Sequence, residues 1–223
     1  MTEDRYNNPL VRKPIYQLLI KYAVPSILAF LVSALYNIVD QIFIGNIVGH
    51  LGNAATTVSF PISTISTAIA LLLGIGTASN YSIYKGRGDD ERAERTVATG
   101  ITGLLFFAGL ELALVMTFIN PLLKLFGASE NIFQYAYDYT SITSMAIVFI
   151  VFSIALSHII RADGSPKYAM MLNVVGAILN IVLDYIFMAN LNMGIKGAAW
   201  ATFIGQAVSF LLALYYICLL YTS

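Results

Sequence analysis

The stretch NVVGAILNIVLD, Asn173–Asp184, decides how this chain is read. It lies in an apolar run of the kind a bilayer accepts as a helix. Within it Asn173, Asn180 and Asp184 stand seven and four residues apart, which puts them on one face of an α-helix. An ionisable residue in such a span costs about 2.5–3.5 kcal/mol at the helix centre on insertion scales. It must therefore face a protein interior or a wet cavity, and it needs a partner. The rest of the chain can be searched for that partner.

Composition sets the class. The chain has 223 residues, 58% of them hydrophobic and only 11% charged, with a mean hydropathy of +0.77. A soluble domain carries about 25% charged residues, so an all-α polytopic membrane protein is expected. Six apolar segments are predicted, near residues 17–43, 54–80, 96–118, 136–158, 168–189 and 197–219, each close to the ~20 residues a bilayer requires. The breaks between them are rich in Gly, Asn, Pro and Ser, the residues of turns. The first apolar run is too long for a signal-peptide core. Cys218 is the single cysteine, so no disulfide forms within the chain.

Net charge is zero, and the distribution of charge says more. Arg5, Arg12, Lys13, Lys21, Lys85, Arg87, Arg92, Arg95, Arg161 and Lys167 fall on one side of the six spans. Only Lys124 and Lys196 fall on the other. The positive-inside rule then predicts a cytoplasmic N-terminus, with residues 1–16 as a cytoplasmic segment. A multi-pass protein of the cell membrane is expected, with the lipid bilayer as its surroundings and no nucleic-acid partner.

The first span contains Pro25, which removes a backbone hydrogen bond and is expected to bend or weaken the helix there. Ser33, Asn37 and Asp40 follow on one face. Ser33 and Asn37 fit either interhelical hydrogen bonding or a cavity lining. Asp40 points to function, because a lone buried carboxylate is a poor packing device. The second span is rich in Ser and Thr, and Gly45 and Gly49 before it read as a close-packing pair. The GRGDDERAER run reads as a solvated hinge, with Asp89 and Glu91 helping to cap the third helix. Glu111 interrupts the third span; it fits a functional carboxylate, a protonated one or an interfacial one. Asp138 is expected to open the fourth span, and His158 to lie near its other interface beside Arg161. Thr202, Gln206 and Ser209 form a polar stripe on the sixth span. No His, Cys and carboxylate set has metal-ligand spacing.

Depth joins these stripes. Asp184 lies five or six residues from the outer end of the fifth span, roughly 8–9 Å at about 1.5 Å per residue. Thr202 lies about as far into the sixth span, and Asp40 is in the outer half of the first. Asp40, Asn180, Asp184 and Thr202 meet at one level if the first, fifth and sixth helices are neighbours. Two carboxylates, an amide and a hydroxyl can hold a hard cation such as Na⁺ or share protons. Ser33, Tyr36, Asn37, Asn173 and Gln206 are candidates for an adjoining substrate cavity.

PSILAFLVSALYNIVDQIFIGNIVGHLGNAA (Pro25–Ala55), SFPISTISTAIALLLGIGTASNYSIYKGRGDDERA and RADGSPKYAMMLNVVGAILNIVLDYIFMANLNMGIKGAAWATFIGQ resemble, in order, the first, second, and fifth and sixth helices of multidrug and toxic compound extrusion (MATE) transporters. The resemblance covers nearly the whole chain. It implies one six-helix lobe, residues 17–217, of a twelve-helix exporter that drives organic cations or drugs out against a Na⁺ or H⁺ gradient, with no cofactor and no enzymatic activity. In prokaryotic members of that family the cation site uses an Asp on the first helix, Asn and Asp four apart on the fifth, and Thr on the sixth. Asp40, Asn180, Asp184 and Thr202 match these positions, and Pro25 matches a helix-bending proline.

The resemblance also implies a C-terminal lobe beyond this sequence. CLLYTS, Cys218–Ser223, is spelled by TGT CTC TTA TAC ACA TCT, which matches the mosaic-end adapter of transposase-based sequencing libraries. Residues 218–223 are accordingly expected to be adapter read-through. Three other readings stand beside the exporter. A lipid or lipid-linked saccharide flippase would need a basic cavity lining, which these spans lack. An intramembrane aspartyl protease would need a GxGD context, which neither Asp40 nor Asp184 has. A standalone six-helix channel or scaffold requires the chain to end at 223.

Overall fold

The computed structural model describes residues 14–222. The expected cytoplasmic cations Arg5, Arg12 and Lys13 lie outside the described residues. The chain folds into α1 (Ile15–Ile47), α2 (His50–Arg87), α3 (Asp90–Leu125), α4 (Glu130–Met145), α5 (Ile147–Ala162), α6 (Pro166–Asp184) and α7 (Ile195–Thr222), with a π-helical segment, Tyr185–Asn190, continuing α6. α4 and α5 are bent by 52° at Ala146. Among the described residues five helices are long and apolar enough to cross a membrane, and the bent pair, taken as one crossing, makes up the six expected spans. The first, second, third and sixth predicted segments each lie inside one observed helix, which runs on past the apolar stretch; the fourth spans the α4–α5 bend and the fifth runs from α6 into the π-helical segment.

Local chemistry explains the ends. Gly88 takes φ +74° and closes α2, its N–H donating to the Tyr84 and Lys85 carbonyls; only glycine adopts this left-handed geometry without strain. The next residue, Asp89, caps α3 by accepting from the Arg92 N–H at 3.1 Å. Asp90 and Glu91 in the first turn of α3, with Lys85 and Arg87 in the last turn of α2, suit the two helix dipoles. Asp89 is therefore the cap expected from the sequence. Glu91 instead pairs with Arg95 at 2.6 Å.

α1 runs as one helix through the buried Pro25, because one lost hydrogen bond does not break a helix that neighbours hold in an apolar medium. Three details differ from the sequence reading. The third span does not turn at Asn120-Pro121 but continues to Leu125. The proline shows its presence upstream, where Phe118 leaves helical geometry at φ −112°, ψ 23°, as expected when its ring crowds the Thr117 carbonyl. The fourth span begins at Glu130, so Asp138 sits two turns inside it and pairs with Lys196 at 3.4 Å. Gly45 and Gly49 are not a packing pair: Gly45 abuts the Asn53 side chain, whereas Gly49 makes the turn at φ +89°.

Packing is inside-out relative to a soluble bundle. Large apolar side chains such as Phe30, Phe60, Leu72 and Phe106 are exposed on the outside of the described helices. Between helices the seams use small residues. α2 crosses α5 so closely at Gly74 that a Cβ there would stand 2.6 Å from the Ala155 Cα. α6 crosses α7 at Gly176 and Gly205, and Ser209 Oγ donates across the seam to the Leu172 carbonyl at 3.1 Å. α1 rests chiefly on α6. At the end carrying Lys85 and Arg161, the Asp163 carboxylate accepts from Tyr81 at 2.5 Å and Tyr216 at 2.7 Å, tying α2 to α7.

Candidate functional site

The one-face spacing on the fifth span is realised in α6. Asn180 and Asp184 are buried, at 3% and 0% exposure, against α1 and α7. Asp40 on α1 is 6% exposed, and its carboxyl group lies against that of Asp184. Asn180 links this pair to α7. With its amide oriented to satisfy both ends, Nδ2 donates to Asp184 Oδ2 at 3.3 Å and Oδ1 accepts from the Thr202 N–H at 3.1 Å. The opposite orientation offers only a 3.4 Å donation to Thr202 Oγ1 and leaves oxygen facing acceptors, so the first is preferred. The four residues of the expected cation site are therefore brought together from three helices.

The pair is short of donors. Asp40 Oδ1 and Asp184 Oδ1 are both buried with no hydrogen-bond partner among the described residues. Two bare carboxylates held in contact away from water repel each other and leave charge unsolvated. The arrangement is complete only with an added positive charge between the oxygens, either protons or a hard cation. A π-helical turn, Tyr185–Asn190, follows Asp184 directly, and Met188 within it is fully buried. Local π turns of this kind recur at functional sites.

The structure adds Tyr139 of α4, whose hydroxyl lies beside Thr202 and close to both carboxyl groups. The sequence reading does not single it out within the tyrosine-rich QYAYDYT. The only available signal is its depth, one turn below the outer end of the predicted fourth span.

Next to Asn180 and Thr202 is an enclosed cavity of about 90 Å³. Ser33, Tyr36, Asn173 and Gln206 line it, together with Ser153 and Ser209. Asn37 does not. Its amide is exposed, donates back to the Ser33 carbonyl at 2.8 Å, and faces a separate open groove of about 520 Å³. Asn37 lies one residue beyond Tyr36, and about 100° of helix rotation turns it off the cavity face. The two aspartates do not line the cavity; they are reached from it through Asn180.

Glu111 stands apart, on α3 facing α2. It is 6% exposed, and its Oε1 accepts from Ser66 Oγ at 2.7 Å while Oε2 has no partner among the described residues. His158 and Arg161 are half-buried near the end of α5.

Fold and site define a multi-pass helical membrane protein with a carboxyl pair buried between its helices. The MatE family model matches residues 25–186, and the chain belongs to that family. It is 26% identical over 204 residues to "Multidrug export protein MepA" of Staphylococcus haemolyticus, covering 91% of this chain and 45% of that protein. Among solved structures it resembles that of the MATE multidrug transporter DinF-BH, at 39% identity and a TM-score of 0.86, covering 91% of this chain and 45% of that one. It also resembles "Outward-facing conformation of a multidrug resistance MATE family transporter of the MOP superfamily", at 29% identity and a TM-score of 0.84, covering 89% and 44%. The chain spans about half the length of the curated relatives it matches.

Proposed function

We propose that this chain is the cation-coupling lobe of a secondary transporter that exports organic cations or drugs in exchange for Na⁺ or H⁺. The observation that carries this reading is the contact of Asp40 with Asp184, each with an orphaned buried oxygen. Such a pair is incomplete without a transported positive charge. Asn180 and Thr202 supply an amide and a hydroxyl at its edge, which suits Na⁺ as well as protons. The relatives' names supply the drug; the multidrug export protein MepA is one of them.

The geometry gives the exchange a physical basis. With the site loaded, repulsion between the carboxyl groups falls and α1 can lie close on α6. Unloaded, the two helices are pushed apart, and α1 has a ready flexing point at Pro25, where one backbone hydrogen bond is missing. The cavity of about 90 Å³ is well below the ~300–1,000 Å³ that a drug-sized ligand occupies. It accommodates ions and water, so drug binding belongs to a wider state that loss of the coupling ion favours. Drug and coupling ion then alternate. The lobe sits in the cell membrane with its N-terminus cytoplasmic, by the asymmetry of the cations.

The test uses the full-length transporter in cells lacking their own exporters, with expression checked by blot. Asp40→Asn and Asp184→Asn keep the shape and remove one charge each. Both variants should express and lose drug resistance. Full resistance from both well-expressed variants would make the constellation structural and the reading wrong.

A further inference from the structure

We propose that the open groove between α2 and α3 binds one anionic phospholipid of the surrounding leaflet. The groove measures about 580 Å³ and runs along the second half of α2 and the first half of α3. It lies apart from Asp40 and Asp184, and no step of the proposed transport uses it.

Its two ends differ in chemistry. The mouth, beside the Gly88–Asp89 turn, is lined by Arg92, Arg95, Asn80 and Tyr84. Further along the same helices it is lined by Leu72, Leu73, Gly76 and Gly103, with Leu72 on its exposed rim. From Arg95 to Gly103 is eight residues, or roughly 12 Å at about 1.5 Å per residue. A polar mouth leading into a shallow, open apolar slot has the length and polarity order of a headgroup with the first part of an acyl chain. Gly76 leaves the slot open along its length, since a Cβ added there would meet nothing within 4 Å. The wall between is dry in character despite its threonines. Thr96 and Thr99 donate back to the Arg92 and Arg95 carbonyls, each at 2.8 Å, so they present no unsatisfied donor to a passing chain.

The charge at the mouth selects the headgroup. Two guanidinium groups line it, and the nearby acids Asp89, Asp90, Glu91 and Glu94 do not. Arg92 is paired with Asp89 at 3.2 Å and Arg95 with Glu91 at 2.6 Å, but these side chains are about two-thirds or more exposed on the arginine side, at 68% and 76%. Exposed pairs of this kind are worth about 0.2–1 kcal/mol. A phosphate diester offers the planar forks a bidentate acceptor in a drier setting and can displace a carboxylate there. A free phosphate would use the arginines and leave the slot empty, so the lipid is the better-matched occupant.

The test is native mass spectrometry of the purified full-length transporter in mild detergent, titrated with phosphatidylglycerol and with phosphatidylcholine of matched acyl chains. Glycerol phosphate serves as the soluble headgroup control. One phosphatidylglycerol should bind with about tenfold or greater preference over phosphatidylcholine, in keeping with the attraction of two interfacial basic residues. Arg92→Gln with Arg95→Gln, both on the exposed surface, should abolish the preference while leaving helix content by circular dichroism unchanged. Gly76→Leu should fill the slot and weaken both lipids while sparing the arginines. Equal binding of the two lipids, an unchanged preference in the double arginine variant, binding of glycerol phosphate as tight as the lipid, or a lipid-free dimer would each overturn the proposal. No transport is measured, so failure here leaves the coupling site untouched.

Discussion

Gly176→Ala should destabilise the lobe, although alanine is the better helix former. The added Cβ would collide with Ser209 Oγ and stand 3.2 Å from the Gly205 carbonyl oxygen. Ser209 can move only by giving up its 3.1 Å hydrogen bond to the Leu172 carbonyl, worth about 0.6–1.7 kcal/mol in a membrane interior. The Gly205 backbone cannot swing away, so α6 and α7 must part, and overpacking of this sort costs about 1–3 kcal/mol. Against this stands a propensity gain of roughly 0.5–1 kcal/mol for replacing a mid-helix glycine. The net is a loss of about 1–3 kcal/mol.

Gly76→Ala is the matched control. It makes the same chemical change on a transmembrane helix, but its Cβ meets nothing within 4 Å, so only the propensity gain remains. Thermal unfolding in detergent, followed through the single tryptophan Trp200 on α7, would separate the two. At roughly 2–4 °C per kcal/mol for a chain of this size, Gly176→Ala should melt several degrees below the parent and Gly76→Ala at or slightly above it. Equal melting of the two variants would refute the close-crossing argument. The same parting of α6 from α7 would draw Asn180 away from Thr202, so the glycine seam also fixes the geometry of the site.

Three other outcomes follow from particular contacts. Tyr216→Phe removes one of the two hydroxyl donors to Asp163 and should cost about 1–3 kcal/mol in the same unfolding assay, the range for hydrogen bonds to charged groups and their orphaned partners. Glu111→Gln keeps an acceptor for Ser66 and should leave drug resistance of the full-length transporter largely intact; loss of resistance at normal expression would give Glu111 a role in coupling. Single cysteines at positions 87 and 161 should resist a membrane-impermeant thiol reagent in intact cells, and one at 124 should react; labelling at 87 would invert the topology.

Much of the fold was legible because a bilayer imposes a length and a polarity on each span. The site was legible for a related reason. Polar residues in an apolar helix are too costly to be placed at random, so Asp40, Asn180, Asp184 and Thr202 declared themselves by spacing and depth before any contact was known. What stayed hidden depends on how helices sit against one another. Pro121 reads as a turn in sequence, yet the helix carries on past it to Leu125 with a flaw at Phe118. The π turn after Asp184 has no residue signature in YIFMAN. Asn37 and Tyr36 are adjacent, and only the rotation of α1 against α6 decides which one faces the cavity.

The contrast between the two buried acid sites follows from the same rule. Glu111 and Asp184 are comparably buried, and each has an orphaned oxygen. Among the described residues Glu111 faces the Ser66 hydroxyl alone, so a single proton makes it neutral and it has no reason to exchange that proton for anything larger. Asp184 faces a second carboxyl group, with an amide and a hydroxyl alongside, and its neutralisation has more than one solution: one proton, two protons or a hard cation. Those states differ in how closely α1 can lie on α6. A site whose occupancy changes the spacing of two helices can drive a motion, whereas an isolated carboxyl group with one hydroxyl partner can only sit in its seam. On this argument the Asp40→Asn and Asp184→Asn variants should fail in export with little loss of stability, because each removes a repulsion as well as a ligand.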